Sequence, residues 1–365
     1  MKKWYSLDKI MRYDVPYRMI IGERGNGKSY SVKDRIIDKY MECGDEFLYV
    51  RRCKHQKTRA NMVKVFDDMY DSFIDKYGKW ITYSTDKGFY FTNGKTEDVP
   101  FGYAISVEEA DKIKSIPLNR VTTIFFDEFL EYGNAIQNEI QLFLSIVSTV
   151  VRSRENVEIF MCGNTVTKFS PYFDLFGIDL KRLNQGQVYY CKHSRGASCA
   201  LEWCSSTNIV NGARITNKYI GFDNNPTSDM ILYGEWEYDA VNTTDVDGIG
   251  WSAKRKLISA YITALNEVYE LSLVYTKNPI AFVRKINTQN GLVRRDIKYN
   301  ISYDNSLKLV NKNGIVPMYG KVSKLMDEAT YKDLGIFIEC FHSKRIVYNN
   351  IESGSDFTKI FKYIQ

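Results

Sequence analysis

No apolar run in this 365-residue chain approaches the roughly 18 residues that a membrane-spanning helix needs. Met1-Lys2-Lys3-Trp4 leads into no apolar h-region, so the start is not read as a signal peptide. Cysteine is sparse: seven residues, an odd number scattered without a small-scaffold disulfide framework, which points to reduced thiols in a cytoplasmic protein. Cys191, His193, Cys199 and Cys204 are near neighbours, but their spacing matches no C-x2-C zinc pair. Internal repeats and low-complexity stretches are absent. Strong charge of one sign is missing too: the net charge of +6 permits a nucleic-acid partner without demanding one. What remains is an ordinary globular composition, long enough for two domains and a sizeable core. Its 27 tyrosines and 20 phenylalanines are assigned to cores and interfaces.

One stretch organises the rest. Gly22-Glu23-Arg24-Gly25-Asn26-Gly27-Lys28-Ser29 fits G-x-x-x-x-G-K-S/T, the P-loop pattern. Glycines let backbone N–H groups turn inward and approach phosphate oxygens. Lys28 would reach the β- and γ-phosphates of ATP, and the Ser29 hydroxyl would ligate Mg²⁺. The context agrees: Tyr17-Arg18-Met19-Ile20-Ile21 reads as a buried strand, and residues 30–41 carry apolar side chains at helical spacing. A second apolar strand, Thr122-Thr123-Ile124-Phe125-Phe126, ends in Asp127-Glu128, the Walker B pattern. Asp127 would join the Mg²⁺ shell, and Glu128 would orient and polarise an attacking water.

Along the chain, Phe47-Leu48-Tyr49-Val50 reads as a strand that discharges into a basic run. Ligands of open α/β sheets sit beyond the carboxyl ends of strands, so Arg51, Arg52, Lys54 and Lys57 are candidates for facing the phosphates of a nucleotide or of DNA, with DNA preferred; a solvated loop is the alternative. Residues 61–77 read as one amphipathic helix and 108–120 as a polar connector. Asn93-Gly94 follows Phe89-Tyr90-Phe91-Thr92 as a hairpin turn. Residues 139–151 read as an apolar helix ending at Arg152-Ser153-Arg154. The next strand, Val157 through Cys162, ends near Asn164, whose amide would hydrogen-bond a γ-phosphate or water; a simple turn-former is the alternative. If the sheet has an additional strand, this one lies between the P-loop strand and the Walker B strand. Residues 194–225 read as a connector. Beyond it, Met230-Ile231-Leu232-Tyr233, 269–275, 280–286 and 292–299 read as strands, with Asn290-Gly291 as a hairpin turn and 323–340 as helix.

These motifs resemble the DNA-packaging ATPases of phi29-type bacteriophages, additional-strand P-loop motors akin to FtsK and the terminases. The resemblance rests on the P-loop with an arginine inside it, Tyr49-Val50-Arg51-Arg52 and Thr123 through Phe129. Val151-Arg152-Ser153-Arg154-Glu155, the strand ending at Asn164 and Pro171-Tyr172-Phe173 add to it. It covers about residues 10–180 well and is loose beyond. It implies an α/β P-loop NTPase domain with a mostly parallel sheet flanked by helices (residues 1–195), a linker (196–225) and a smaller α+β domain (226–365). In this family the smaller domain resembles an RNase H-like nuclease that has lost its cleavage site. The implied function is ATP hydrolysis coupled to translocation of double-stranded DNA into a preformed capsid in the host cytoplasm. The implied partners are the portal and other copies of the chain, in a pentameric ring. Some relatives also use a packaging RNA. The catalytic set implied is Lys28, Glu128, Asn164 and an arginine finger: Arg152 acting across the subunit interface, with Arg24 as a rival in cis.

Asp223, Asp239, Asp245, Asp247 and Asp296 are the acidic residues a nuclease would draw on, and only Asp245 and Asp247 are close in sequence. A two-metal nuclease needs several convergent carboxylates, so a binding module is expected. The competing functions are a helicase, a terminase with a live nuclease, or a P-loop kinase for a small acceptor.

Overall fold

The computed structural model describes residues 4–78, 81–84, 88–92, 99–130, 136–168, 170–210, 212–223, 225–236, 243, 256–264, 267–274, 279–286, 299–303, 307–311, 314–317, 335–337 and 339–364. Asn93-Gly94, Asn290-Gly291, Asp239, Asp245, Asp247, Asp296, and most of the strand at 292–299 and of the helix at 323–340 lie outside them. The chain divides into two compact units, Met1–Glu237 and Tyr238–Gln365.

In the first unit, β1 (Tyr17–Gly22) leads through the P-loop into α1 (Lys28–Cys43), and β2 (Glu46–Arg51) follows. Two short helices, α2 (Arg59–Val63) and α3 (Tyr70–Tyr77), precede β3 (Ile81–Ser84), β4 (Gly88–Thr92) and β5 (Val99–Ser106). A 3-10 helix at Val107–Ser115 leads to β6 (Val121–Asp127), α4 (Glu139–Val151), β7 (Glu158–Asn164) and α5 (Pro171–Leu175). Strands β8 (Val188–Lys192), β9 (Ser198–Trp203), β10 (Ile209–Val210) and β11 (Ala213–Arg214) precede α6 (Pro226–Tyr233).

The main sheet has nine strands in the order β3-β4-β5-β2-β6-β7-β1-β9-β8. From β5 to β9 every pairing is parallel, and antiparallel strands close both edges. Strand β7 lies between β6 and β1, as expected for an additional-strand P-loop sheet. Strands buried on both faces read as near-continuous apolar runs, and β6 is buried from Val121 to Phe126. On one face Phe47, Phe66, Phe89 and Phe101 stack with ring centroids 5.2–6.1 Å apart. On the other, Phe126, Phe143 and Tyr172 meet at 5.3–5.4 Å. Each such ring contributes about 1.5–3 kcal/mol by burial.

Three sequence expectations are corrected. Ser198–Trp203, placed in the connector, is β9, paired in parallel with β1 inside the sheet. Met230 through Tyr233 is helical, capped by the Asn225 side chain on the Ser228 N–H, with Pro226 in the first turn and Gly234 in the left-handed region beyond. The stretch at 61–77 is α2 and α3 with a 3-10 turn at Asp67–Met69 rather than one helix.

The second unit carries a seven-stranded sheet built from β12 (Lys256–Ala264), β13 (Glu267–Val274), β14 (Ile280–Ile286), β15 (Tyr299–Tyr303), β16 (Leu307–Asn311), β17 (Gly314–Pro317) and β18 (Ile346–Tyr348). Strands β12, β13 and β14 form an antiparallel meander, and β15 pairs parallel to β12. The helix Ile351–Ile364 packs on β14 and β18.

Candidate active site

The carboxyl ends of β1, β6 and β7 converge on a cleft of about 1480 Å³ lined by the P-loop, Asp127, Glu128 and Asn164. Parallel register explains the meeting, because Gly22 at the end of β1 pairs with Asn164 at the end of β7. Gly25 (φ 65°) and Gly27 (φ 97°) take the left-handed conformation that lets the loop fold back on itself. Gly27 starts α1 with no capping side chain of its own; the Lys28 N–H donates to Asn26 Oδ1 at 3.2 Å, and the N–H groups of Ser29 and Tyr30 are left to an anion.

Lys28 is buried at 5% exposure, and burial lowers the pKa of its ammonium. Its Nζ donates to the Glu23 carbonyl at 2.5 Å, to Asn26 Oδ1 at 3.2 Å, and to the Gly22 carbonyl and Asn164 Oδ1 at 3.4 Å. Ser29 Oγ donates to Asp127 Oδ1 at 2.9 Å, which puts the two expected Mg²⁺ ligands side by side. A hydroxyl and a carboxylate are hard oxygen donors, the set Mg²⁺ takes beside phosphates. The residues present therefore fit a nucleoside triphosphate and its magnesium ion.

Glu128 has φ 55°, a left-handed backbone rarely adopted outside glycine and asparagine. The turn leaves its side chain half exposed, ion-paired with Arg51. Arg51 also reaches Asp127 Oδ2 at 3.5 Å and the Tyr49 hydroxyl at 3.4 Å, while Tyr49 donates to Asp127 Oδ2 at 3.1 Å. Burial works against the Arg51 charge, but Tyr49, Glu128 and Asp127 outweigh it and raise the guanidinium pKa. Sequence reasoning missed Tyr49, and it offered Arg51 to the phosphates of nucleotide or DNA rather than to the Walker B carboxylates. Their position at the end of β2, the strand beside β6, is the signal that pointed there.

The structure places the four basic candidates apart. Arg51 faces the Walker B carboxylates. Arg52 is buried and bidentate on Glu139, at 2.8 and 2.7 Å, and Tyr172 donates to the same carboxylate at 2.9 Å. Both are taken up within the protein and do not line an outer surface, so the DNA-facing expectation is corrected for them. Lys57 pairs with Glu109 at 3.1 Å and is 16% exposed. Lys54 is exposed on the 3-10 turn Lys54–Lys57.

Glu109 is the buried hub of that region, bonded also by Lys112 at 2.6 Å and Ser106 at 2.9 Å. Burial alone would raise its pKa; these partners outweigh it and bring the value from 4.5 down to about 2. The folded state thus holds the carboxylate ionised where an unfolded chain would protonate it. Its contribution is complete above pH 4.5 and is lost as pH falls towards 2. Glu109→Gln should lower the thermal midpoint at neutral pH and flatten its decline between those two values, followed by circular dichroism.

Arg24 is exposed on the P-loop. Arg152 follows α4 with a positive φ (45°), exposed, at the amino-terminal edge of the parallel strands just before β7. Its neighbour Arg154 donates to the carbonyls of Asn119 and Leu118 just before β6. Strand β7 separates that edge from the cleft by about 20 Å. Arg152 therefore does not meet the cleft of its own chain.

The sequence profile of the podovirus DNA encapsidation protein (Gp16) family matches residues 1–193. The chain belongs to that family. Among Gp16 relatives, the DNA packaging protein of Bacillus phage phi29 is 33% identical over 180 residues, 48% of this chain and 50% of the relative. The DNA packaging protein of Bacillus phage B103 is 35% identical over 173 residues, 46% of this chain and 50% of the relative. The chain thus spans about half the length of the curated relatives it matches. Two solved structures share a fold with nearly the whole chain. The Phi-29 viral genome packaging motor assembly has TM-score 0.54 at 20% identity, covering 99% of both chains. The Phi-28 gp11 DNA packaging motor has TM-score 0.51 at 15% identity, covering 100% of this chain and 99% of that one.

Proposed function

We propose that this chain is an ATP-hydrolysing motor that moves double-stranded viral DNA into a preformed capsid. The observation that carries it is the meeting of Ser29 with Asp127 at 2.9 Å, flanked by Lys28, Glu128 and Asn164 on one cleft. The backbone of residues 22–29 and Lys28 would cradle the phosphates of ATP, and Ser29 and Asp127 would hold Mg²⁺. When bound, the metal ion neutralises charge developing on the phosphoryl oxygens. Glu128 orients and polarises the water, and Asn164 and Lys28 fix the terminal phosphate. Family membership supports DNA as the cargo.

The first unit is the ATPase. The second is a binding module for DNA or the capsid portal, RNase H-like and without nuclease activity. Its antiparallel meander with β15 alongside β12 supports that kinship. Two of its buried carboxylates carry cations: Arg284 Nε lies 3.0 Å from Glu270, and Lys285 Nζ lies 3.2 Å from Asp356. The motor assembles from several copies, as a pentameric ring on the portal in the host cytoplasm, with Arg152 as the finger supplied to a neighbouring cleft.

The test is hydrolysis of ATP by the full chain with and without double-stranded DNA. Stimulation by DNA is expected; turnover that depends instead on a small acceptor would identify a kinase. Lys54, the exposed member of the basic run, is the side chain placed to track phosphate. Lys54→Ala should reduce the slope of log affinity against log salt by about one unit, and an unchanged slope would make Lys54 a solvated surface residue.

A further inference from the structure

Glu23, inside the P-loop, is only 1% exposed. A phosphate-binding loop has no evident use for a buried carboxylate, yet this one is fully bonded. It accepts from the Thr207 N–H at 2.8 Å and from the hydroxyls of Thr207 and Ser206. Its own carbonyl accepts from Lys28 Nζ at 2.5 Å. The next N–H, that of Arg24, donates to the Ile231 carbonyl of α6 at 3.2 Å. Gly234 lies so close that a Cβ on it would stand 2.5 Å from the Glu23 nitrogen.

The residues gripping Glu23 grip one another. Asn208 Nδ2 donates to the Leu232 carbonyl at 2.7 Å, Trp203 Nε1 to that of Gly234 at 2.9 Å, and Thr165 Oγ1 to that of Glu235 at 2.7 Å. Residues 206–208 and 231–235 thus form one bonded segment, and the first unit ends at Glu237 just beyond it. The family match ends at residue 193, so Glu23 ties the matched part of the chain to a part outside it.

We propose that Glu23 is a positioning residue that couples phosphate contact at Lys28 to residues 206–236, where the first unit ends. An ammonium has three donors, and Lys28 spreads them over four protein oxygens. A phosphate oxygen is charged and out-competes a neutral carbonyl for such a donor. When Lys28 turns to phosphate, the buried Glu23 carbonyl loses its nearest partner and the peptide must reorient to find another. The carboxylate on the same residue is fixed to Ser206 and Thr207, and the N–H of that same peptide, contributed by Arg24, to α6, so the reorientation is passed to both. This coupling rests on the nucleotide reading of the cleft.

The experiment is hydrogen–deuterium exchange of the full chain with and without a saturating non-hydrolysable ATP analogue and Mg²⁺, with analogue binding measured in parallel. In the wild type, exchange across residues 204–210 and 226–234 should change about fivefold or more, the equivalent of one net hydrogen bond. Thr207→Val, nearly isosteric and outside the phosphate-binding loop, should still bind the analogue while that response falls, and Ser206→Ala should do the same. Binding to the wild type with no response at these residues, or an undiminished response in both variants, overturns the coupling alone. No binding to the wild type overturns the nucleotide reading and the coupling with it.

Discussion

Glu128→Gln should bind ATP as the wild type does and hydrolyse it about 10²–10⁴-fold more slowly. The amide preserves the shape of the side chain and its place at the end of β6, but it cannot accept a proton from water. Two features sharpen the expectation. Asp127 and Ser29, which would hold the metal ion, are untouched, so binding is spared. Glu128 is tied to Arg51 by charge, and the neutral amide weakens that tie, so Arg51 is freed to pair with Asp127 alone. Nucleotide affinity by equilibrium titration and single-turnover hydrolysis separate the two quantities. A variant that hydrolyses at the wild-type rate would remove Glu128 from the chemistry.

Arg152→Ala should cost about 10³-fold or more in turnover, and it should do so from another subunit. Within one chain Arg152 lies towards the amino-terminal ends of the strands and is not among the residues that line the cleft. A finger there serves only a neighbouring copy. The informative experiment mixes the two inactive variants. Where a subunit with intact Glu128 meets one with intact Arg152, an interface is whole, and hydrolysis should partly return. A mixture that stays inactive, while each variant still assembles with wild type, would assign the finger to Arg24, which is exposed on the P-loop itself.

The site was legible where its chemistry is local. The P-loop, the Asp127-Glu128 pair and the strands that carry them are written in consecutive residues. The position of β7 followed from the order of motifs. What escaped was set by partners far along the chain. Arg51 and Arg52 read as a surface run because the carboxylates that absorb them, Glu128 and Glu139, lie 77 and 87 residues away. The same holds for β9, whose strand character comes from pairing with β1 rather than from its own pattern. The Met230 to Tyr233 run is a different case. Four consecutive apolar residues suit a buried strand or a helix equally, and the deciding signals were the flanking Asn225-Pro226 and Gly234.

The buried bond between Arg52 and Glu139 has a mechanical consequence. Glu139 is the first residue of α4 and Val151 the last, so the helix is a stiff rod about 20 Å long. One end is clamped to the residue next to Arg51, which itself grips Glu128. The other end carries Arg152. A tilt of about 10° at the clamped end swings the far end by about 3 Å, the scale on which packed helices shift between discrete arrangements. In the proposed ring, the rod would give a displacement beside one cleft a direct lever on the arginine offered to the next.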